Sequence, residues 1–287
     1  YLYTVDTTPH SCTSNIEQMS AFFVDKVAIV TGSSNGIGRS AARLFAAAGA
    51  KVTITGRNPK ALAETKSECL AAGAKEENLL EVVGDVRDEK FLQKLIDVTV
   101  AKFGNIDILV NNAGAGIYDE KERKGIDIPI NNYDVTMEIN VRSVLLLSQL
   151  AVPYLEKTNG SVINVSSISG FLYLNPILPY YHMSKAALDS LTVQMAGTLI
   201  KKGIRVNSVN PGVIKTNFFA NGGLSDEKEE KNLAKLVEGI PSGKIGVPDD
   251  VGKVILFLAD KTQSDFIVGQ RITVDGGTLI MNKQMSQ

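Results

Sequence analysis

From Asp25 onward, short apolar runs alternate with segments whose apolar residues recur at helical spacing, an alternation that few folds satisfy. Val27-Ala28-Ile29-Val30 is unbroken, as suits a strand buried on both faces. After a glycine-rich turn, Ile37, Ala41, Leu44, Phe45 and Ala48 fall on one helical face, closed by Gly49. Strands are expected at Val52–Thr55, Leu79–Val83, Ile106–Val110, Ser161–Val165, Arg205–Val209 and Ile272–Val274. Between them lie helices near Pro59, through Leu92, Leu95, Ile96 and Thr99, over about Tyr133–Lys157 and Tyr181–Lys201, and through Val251, Val254, Ile255 and Leu258. Strands joined by helices imply right-handed crossovers and a doubly wound parallel α/β sheet of about seven strands with helices on both faces. Such sheets bind ligands beyond the carboxyl ends of their strands, so the residues just after each strand carry the function.

Composition narrows the field further. The 287 residues can form one domain with a large core, here residues 23–287. Residues 1–22 lack periodicity and the basic start and apolar run of a signal peptide; they read as a tail, with Met19 a plausible natural start. A net charge of −1 gives no electrostatic footprint for nucleic acid, and no run nears the ~18 apolar residues of a membrane span. Two cysteines, Cys12 and Cys69, favour a reduced, cytoplasmic setting, and two histidines, His10 and His182, are too few for a structural zinc site.

After the first strand comes Thr31-Gly32-Ser33-Ser34-Asn35-Gly36-Ile37-Gly38. Its glycines let the backbone turn tightly and approach a pyrophosphate seated on the next helix N-terminus. The second strand ends in Thr55-Gly56-Arg57-Asn58, with no acid to accept from ribose hydroxyls and a guanidinium able to hold a 2′-phosphate. That favours NADP(H), with NAD(H) possible. Tyr181-His182-Met183-Ser184-Lys185 places a phenol and an ammonium on one helical face, whereas Tyr180 points elsewhere. An ammonium beside the phenol favours phenolate over the ordinary pKa near 10.

Taken in order, T-G-x-x-x-G-x-G at Thr31–Gly38, N-N-A-G at Asn111–Gly114, Tyr181-x-x-x-Lys185 and P-G-x-x-x-T at Pro211–Thr216 resemble the short-chain dehydrogenase/reductase family, over about Asp25–Gly277. In look the chain is similar to the tropinone-reductase-like and glucose-dehydrogenase-like members. The resemblance implies a single-domain Rossmann fold and hydride transfer between a nicotinamide and a carbonyl or alcohol. It assigns Asp85 and Val86 to adenine, and Asn112, Ala113 and Gly114 to the cofactor wall. Pro211, Gly212, Ile214 and Thr216 seat the carboxamide. Tyr181 is the acid–base, Lys185 holds the ribose and Asn140 holds a relay water. A serine polarises the carbonyl, usually 13 residues before the tyrosine; Ser167 lies 14 before and Ser166 lies 15 before, and Ser167 is the better placed. Many NADP-linked members carry a basic residue where this chain has Asn35.

The expected substrate side is apolar: Phe171, Leu172, Tyr173, Leu174 and Ile177 on one loop, and Phe218, Phe219 and Leu224 on another, suiting an apolar or cyclic ketone. A lid is expected near 217–243, hinged at Asn221-Gly222-Gly223. Leu145, Leu146, Leu147, Leu150 and Val152 read as core or as the contact face of a homodimer or homotetramer. Two other readings stand beside the reductase: an NAD-linked hydroxysteroid or sugar dehydrogenase, and a non-catalytic dinucleotide sensor.

Overall fold

The computed structural model describes residues 22–172, 176–216, 237 and 239–281. Seven parallel strands form one sheet in the order β3-β2-β1-β4-β5-β6-β7. They are β1 (Val27–Thr31), β2 (Lys51–Gly56), β3 (Leu79–Val83), β4 (Ile108–Asn111), β5 (Ser161–Val165), β6 (Arg205–Pro211) and β7 (Arg271–Val274). The order reverses between β1 and β4, whose carboxyl ends therefore diverge into a crevice.

Helices cover both faces. On one, α1 (Gly36–Ala47) and α7 (Pro248–Ala259) pack Ala41, Phe45, Val251 and Ile255 against Val30, Val110 and Ile163. On the other, α3 (Glu89–Phe103), α5 (Ser143–Thr158) and α6 (Pro179–Leu199) bury Leu95, Leu147, Ala151 and Met195 against Leu109 and Val162. α2 (Pro59–Ala71) begins at a proline, with Asn58 Oδ1 accepting from Ala61 N at 3.1 Å as its cap.

α4 (Ile130–Met137) runs into α5 through a π turn, Glu138–Arg142, which holds Asn140. By length and composition the whole stretch Ile130–Thr158 could cross a membrane. Leu147, Ala151 and Leu155 within it are nevertheless wholly packed under the sheet, as a core helix requires. Leu145 faces outward, while Leu146, Leu150 and Val152 are half-buried against the core.

β4 begins later than its apolar run suggests. Ile106 is buried but outside the ladder: its carbonyl accepts from the Thr158 hydroxyl at 2.9 Å, and Asp107 Oδ2 accepts from Val27 N at 3.0 Å where a ladder bond would otherwise begin.

Candidate active site

The turn from β1 to α1 is a cradle. Gly36 has φ +53°, in the left-handed region that glycine tolerates. At Gly38 a Cβ would lie 2.4 Å from the Gly32 carbonyl oxygen, so the crossing of the chain over itself leaves no room for a side chain. Asn35, at the N-cap of α1, makes no side-chain cap bond and the first turn holds no acid. The amides at the head of α1 are thus left for an incoming anion. Thr31 ties this turn to the end of β4: its hydroxyl accepts from the backbone N–H of Asn112 and of Ala113, each at 3.0 Å. Asn112 Nδ2 in turn donates to the Thr31 and Gly32 carbonyls at 2.8 and 3.0 Å.

Beside the cradle, Arg57 stands exposed at the end of β2. Asp85, after β3, is gripped by a residue that the motif reading passes over: Arg87 Nη2 donates to Asp85 Oδ2 at 2.7 Å and its Nε to Oδ1 at 3.2 Å. This fork, more than the charge of Arg57, holds the Asp85 carboxyl below the usual carboxylate range.

The chemical groups converge from three elements. β5 delivers Ser167, whose hydroxyl accepts from Ser169 N at 3.1 Å, lies 3.5 Å from the Pro211 carbonyl and shares the cleft wall with the Tyr181 phenol from α6. Ser166 turns the other way, its hydroxyl 3.2 Å from the Lys185 carbonyl. Lys185 Nζ sits 5.5 Å from the centre of the Tyr181 ring and donates to the Val165 carbonyl at 2.9 Å. Asn140, fully buried, uses its side chain to bind Ala115 N and O and the Ser184 hydroxyl, each at 2.9 Å. Tyr180 donates instead to the Ile128 carbonyl at 2.7 Å, away from these groups.

The electrostatics differ from the expectation of a phenolate. Without a bound charge, desolvation pushes the Tyr181 phenol up to about 12, the Ser167 hydrogen bond only partly opposing it. Burial likewise pushes Lys185 down to about 8. The fold therefore penalises the ammonium, and between pH 8 and 10.5 the unfolded chain binds the extra proton. Stability from this group rises with pH across that window. The stability difference between wild type and Lys185→Met should accordingly grow by about 3 kcal/mol in favour of wild type from pH 8 to 10.5, read by urea unfolding.

The glycine cradle, Asp85, Ser167, Tyr181 and Lys185 open on one cleft of about 1340 Å³. Of the expected cofactor and catalytic residues, Gly32, Ser34, Asn35, Gly36, Ile37, Arg57, Asn58, Asp85, Val86, Asn112, Ala113, Gly114, Ser167, Tyr181, Lys185, Pro211, Gly212, Ile214 and Thr216 line it. Gly38 and Asn140 lie behind its wall and shape it.

The substrate side needs correction. Phe171 is outside the lining, its ring 5.2 Å from the Arg271 guanidinium, and Leu172 and Ile177 also lie off the cleft. Its apolar wall comes instead from Ile139, Ile168, Leu178, Ile240 and Met281, with His182 among them. Burial lowers the pKa of His182. Tyr173, Leu174, Phe218, Phe219, Leu224, the Asn221-Gly222-Gly223 hinge, most of the expected lid and nearly all of the tail fall outside the described residues.

A family model described as enoyl-(acyl carrier protein) reductase matches residues 32–278. A short-chain dehydrogenase/reductase of unknown function from Caenorhabditis elegans, solved with cofactor, is 42% identical with TM-score 0.88, over 91% of this chain and 98% of that one. Glucose dehydrogenase of Caenorhabditis elegans, in the apo form, is 44% identical with TM-score 0.78, over 90% and 99%. A 7α-hydroxysteroid dehydrogenase solved with NADH and 7-oxo glycochenodeoxycholic acid is 32% identical with TM-score 0.80, over 91% and 96%.

Proposed function

Because the chain belongs to the short-chain dehydrogenase/reductase family of oxidoreductases, which bind a nicotinamide dinucleotide, we propose that it is an NADP(H)-dependent reductase or dehydrogenase acting on carbonyls or secondary alcohols. One observation carries the reading: Ser167, Tyr181 and Lys185, the last with Nζ 5.5 Å from the centre of the Tyr181 ring, open together on the same cleft as the glycine cradle.

The residues fit a dinucleotide. The uncapped head of α1 takes the pyrophosphate, Asp85 and Val86 the adenine, and Arg57 the 2′-phosphate. Lys185 meets the nicotinamide ribose, and Pro211, Gly212, Ile214 and Thr216 seat the carboxamide. When bound, the cofactor supplies the hydride for the carbonyl carbon.

The protein's share is placement and proton handling. Ser167 donates to the substrate oxygen and stabilises the alkoxide that develops there. Tyr181, protonated across the neutral range in the free protein, gives its proton to that oxygen. The Lys185 ammonium then stabilises the phenolate. Asn140 has both amide hydrogens committed to Ala115 and Ser184, so any relay water falls to the backbone of its π turn.

The apolar wall favours an apolar or cyclic ketone, with the neutral His182 imidazole able to donate one hydrogen bond to it. We place the enzyme in the cytoplasm as a homodimer or homotetramer, with half-buried Leu146, Leu150 and exposed Leu145 on α5 facing the partner. An NAD-linked hydroxysteroid or sugar dehydrogenase is the second reading, supported by the uncharged Asn35 in the turn.

Titration with NADPH and NADH by nicotinamide fluorescence, followed by turnover on a panel of ketones and aldehydes, tests the proposal. We expect NADPH to bind at least tenfold more tightly, with reduction of apolar ketones. Equal affinity would favour the second reading, and binding without any turnover would favour the sensor.

A further inference from the structure

Asp189, on α6 one turn beyond Lys185, is a carboxylate only 2% exposed, and the chemistry above makes no use of it. Burying a charge is costly unless hydrogen bonds replace its water. Here the replacements all lead back to the catalytic loops. Asn210 Nδ2, from the end of β6, donates to Asp189 Oδ1 and Oδ2 at 2.9 and 3.0 Å. The same nitrogen reaches the Ser167 carbonyl at 3.2 Å. An amide nitrogen carries two hydrogens, so it can serve the carboxylate and that carbonyl together. The other end of the amide is also fixed, Oδ1 accepting from the Ser208 hydroxyl at 2.8 Å. A Cβ at Gly170 would stand 2.8 Å from Asp189 Oδ2, so the loop after β5 passes directly over the acid.

We infer that Asp189 and Asn210 are a positioning pair: Asp189 orients the Asn210 amide, which pins the Ser167 backbone and so sets the Ser167 hydroxyl against Tyr181. The inference rests on the catalytic reading of Ser167 and Tyr181. Neither residue of the pair touches substrate; both act through Ser167, and a displacement of about 1 Å there is enough to cost up to 100-fold in rate.

The test compares Asp189→Leu with the exchanged pair Asp189→Asn/Asn210→Asp, measuring kcat, KM, NADPH affinity and melting temperature. Asp189→Leu is expected to lower kcat 10- to 100-fold with NADPH affinity within threefold of wild type. The exchange restores the hydrogen bond between α6 and β6, but a carboxylate at 210 cannot donate to the Ser167 carbonyl. Its melting temperature should return toward wild type while kcat stays at least tenfold down. Recovery of kcat together with stability would show that the pair merely braces the fold and would overturn the inference, as would Asp189→Leu with kcat within twofold of wild type. Where Asp189→Leu does not fold, the exchanged pair decides. Tyr181→Phe separates the two levels: if it is fully active the catalytic reading itself fails, and if it is inactive while the Asp189 variants keep full kcat, only the positioning pair fails.

Discussion

Tyr181→Phe is expected to lower kcat for ketone reduction by roughly 100- to 10,000-fold, the range that a placed general acid contributes. NADPH affinity should stay within about threefold, because the phenol contributes one hydroxyl at the edge of a long dinucleotide site. The ring itself is kept, so the packing over Lys185 Nζ, 5.5 Å from its centre, survives the change. What is lost is the phenol hydroxyl, the one proton donor of this ring on the cleft beside Ser167. Stopped-flow mixing of enzyme–NADPH with ketone separates the steps: the fluorescence change on cofactor binding persists and the decay of NADPH absorbance slows. Decay at the wild-type rate would remove Tyr181 from the reaction.

Arg57→Asp should reverse the cofactor preference, weakening NADPH about 100-fold while tightening NADH severalfold. A charge-assisted hydrogen bond is worth about 1.5–3 kcal/mol, and an acid at this position both removes it and repels the 2′-phosphate. The same acid gains something for NADH, since it can accept from the ribose hydroxyls. Arg87 does not take over, because its Nε and Nη2 face Asp85 and its side chain lies off the cleft lining. The site is exposed, so the wild-type preference should shrink as salt rises, and titrations at low and high ionic strength read that directly. An unchanged ratio of the two affinities would place the 2′-phosphate away from Arg57.

Much of this architecture is legible in the chain because local signals agree. β3 and β5 fall at the expected bounds, their apolar runs ending where polar residues and turns begin. The glycine turn, Tyr181 and Lys185 are equally plain, since a crowded backbone and a one-turn helical spacing each leave a fixed mark. Ser167 was separable from Ser166 only weakly by counting, and it is the extended backbone leaving β5 that sends the two hydroxyls to opposite sides.

Other features depend on partners distant in sequence. The late start of β4 hangs on Asp107 capping a strand 80 residues away. Phe171 leaves the cleft because Arg271, a full hundred positions later, draws its ring outward. Asp189 looks like one more polar residue on a helix until β6 brings Asn210 to it. The depressed Lys185 and elevated Tyr181 likewise follow from how thoroughly α6 is covered, which no spacing records.

The π turn at Glu138–Arg142 has a consequence for how this enzyme can vary. It amounts to one surplus residue in an otherwise regular helix, a dislocation in a one-dimensional crystal. Deleting a residue on its N-terminal side would heal the defect and return the backbone to ordinary α pairing. Because a π turn closes with one residue more than an α turn, the repair would leave the flanking helices in phase and re-aim only the side chains within the turn. Either Asn140 would leave Ala115 and Ser184, or Ile139 would leave the cleft wall. A more regular helix would thus be a poorer enzyme.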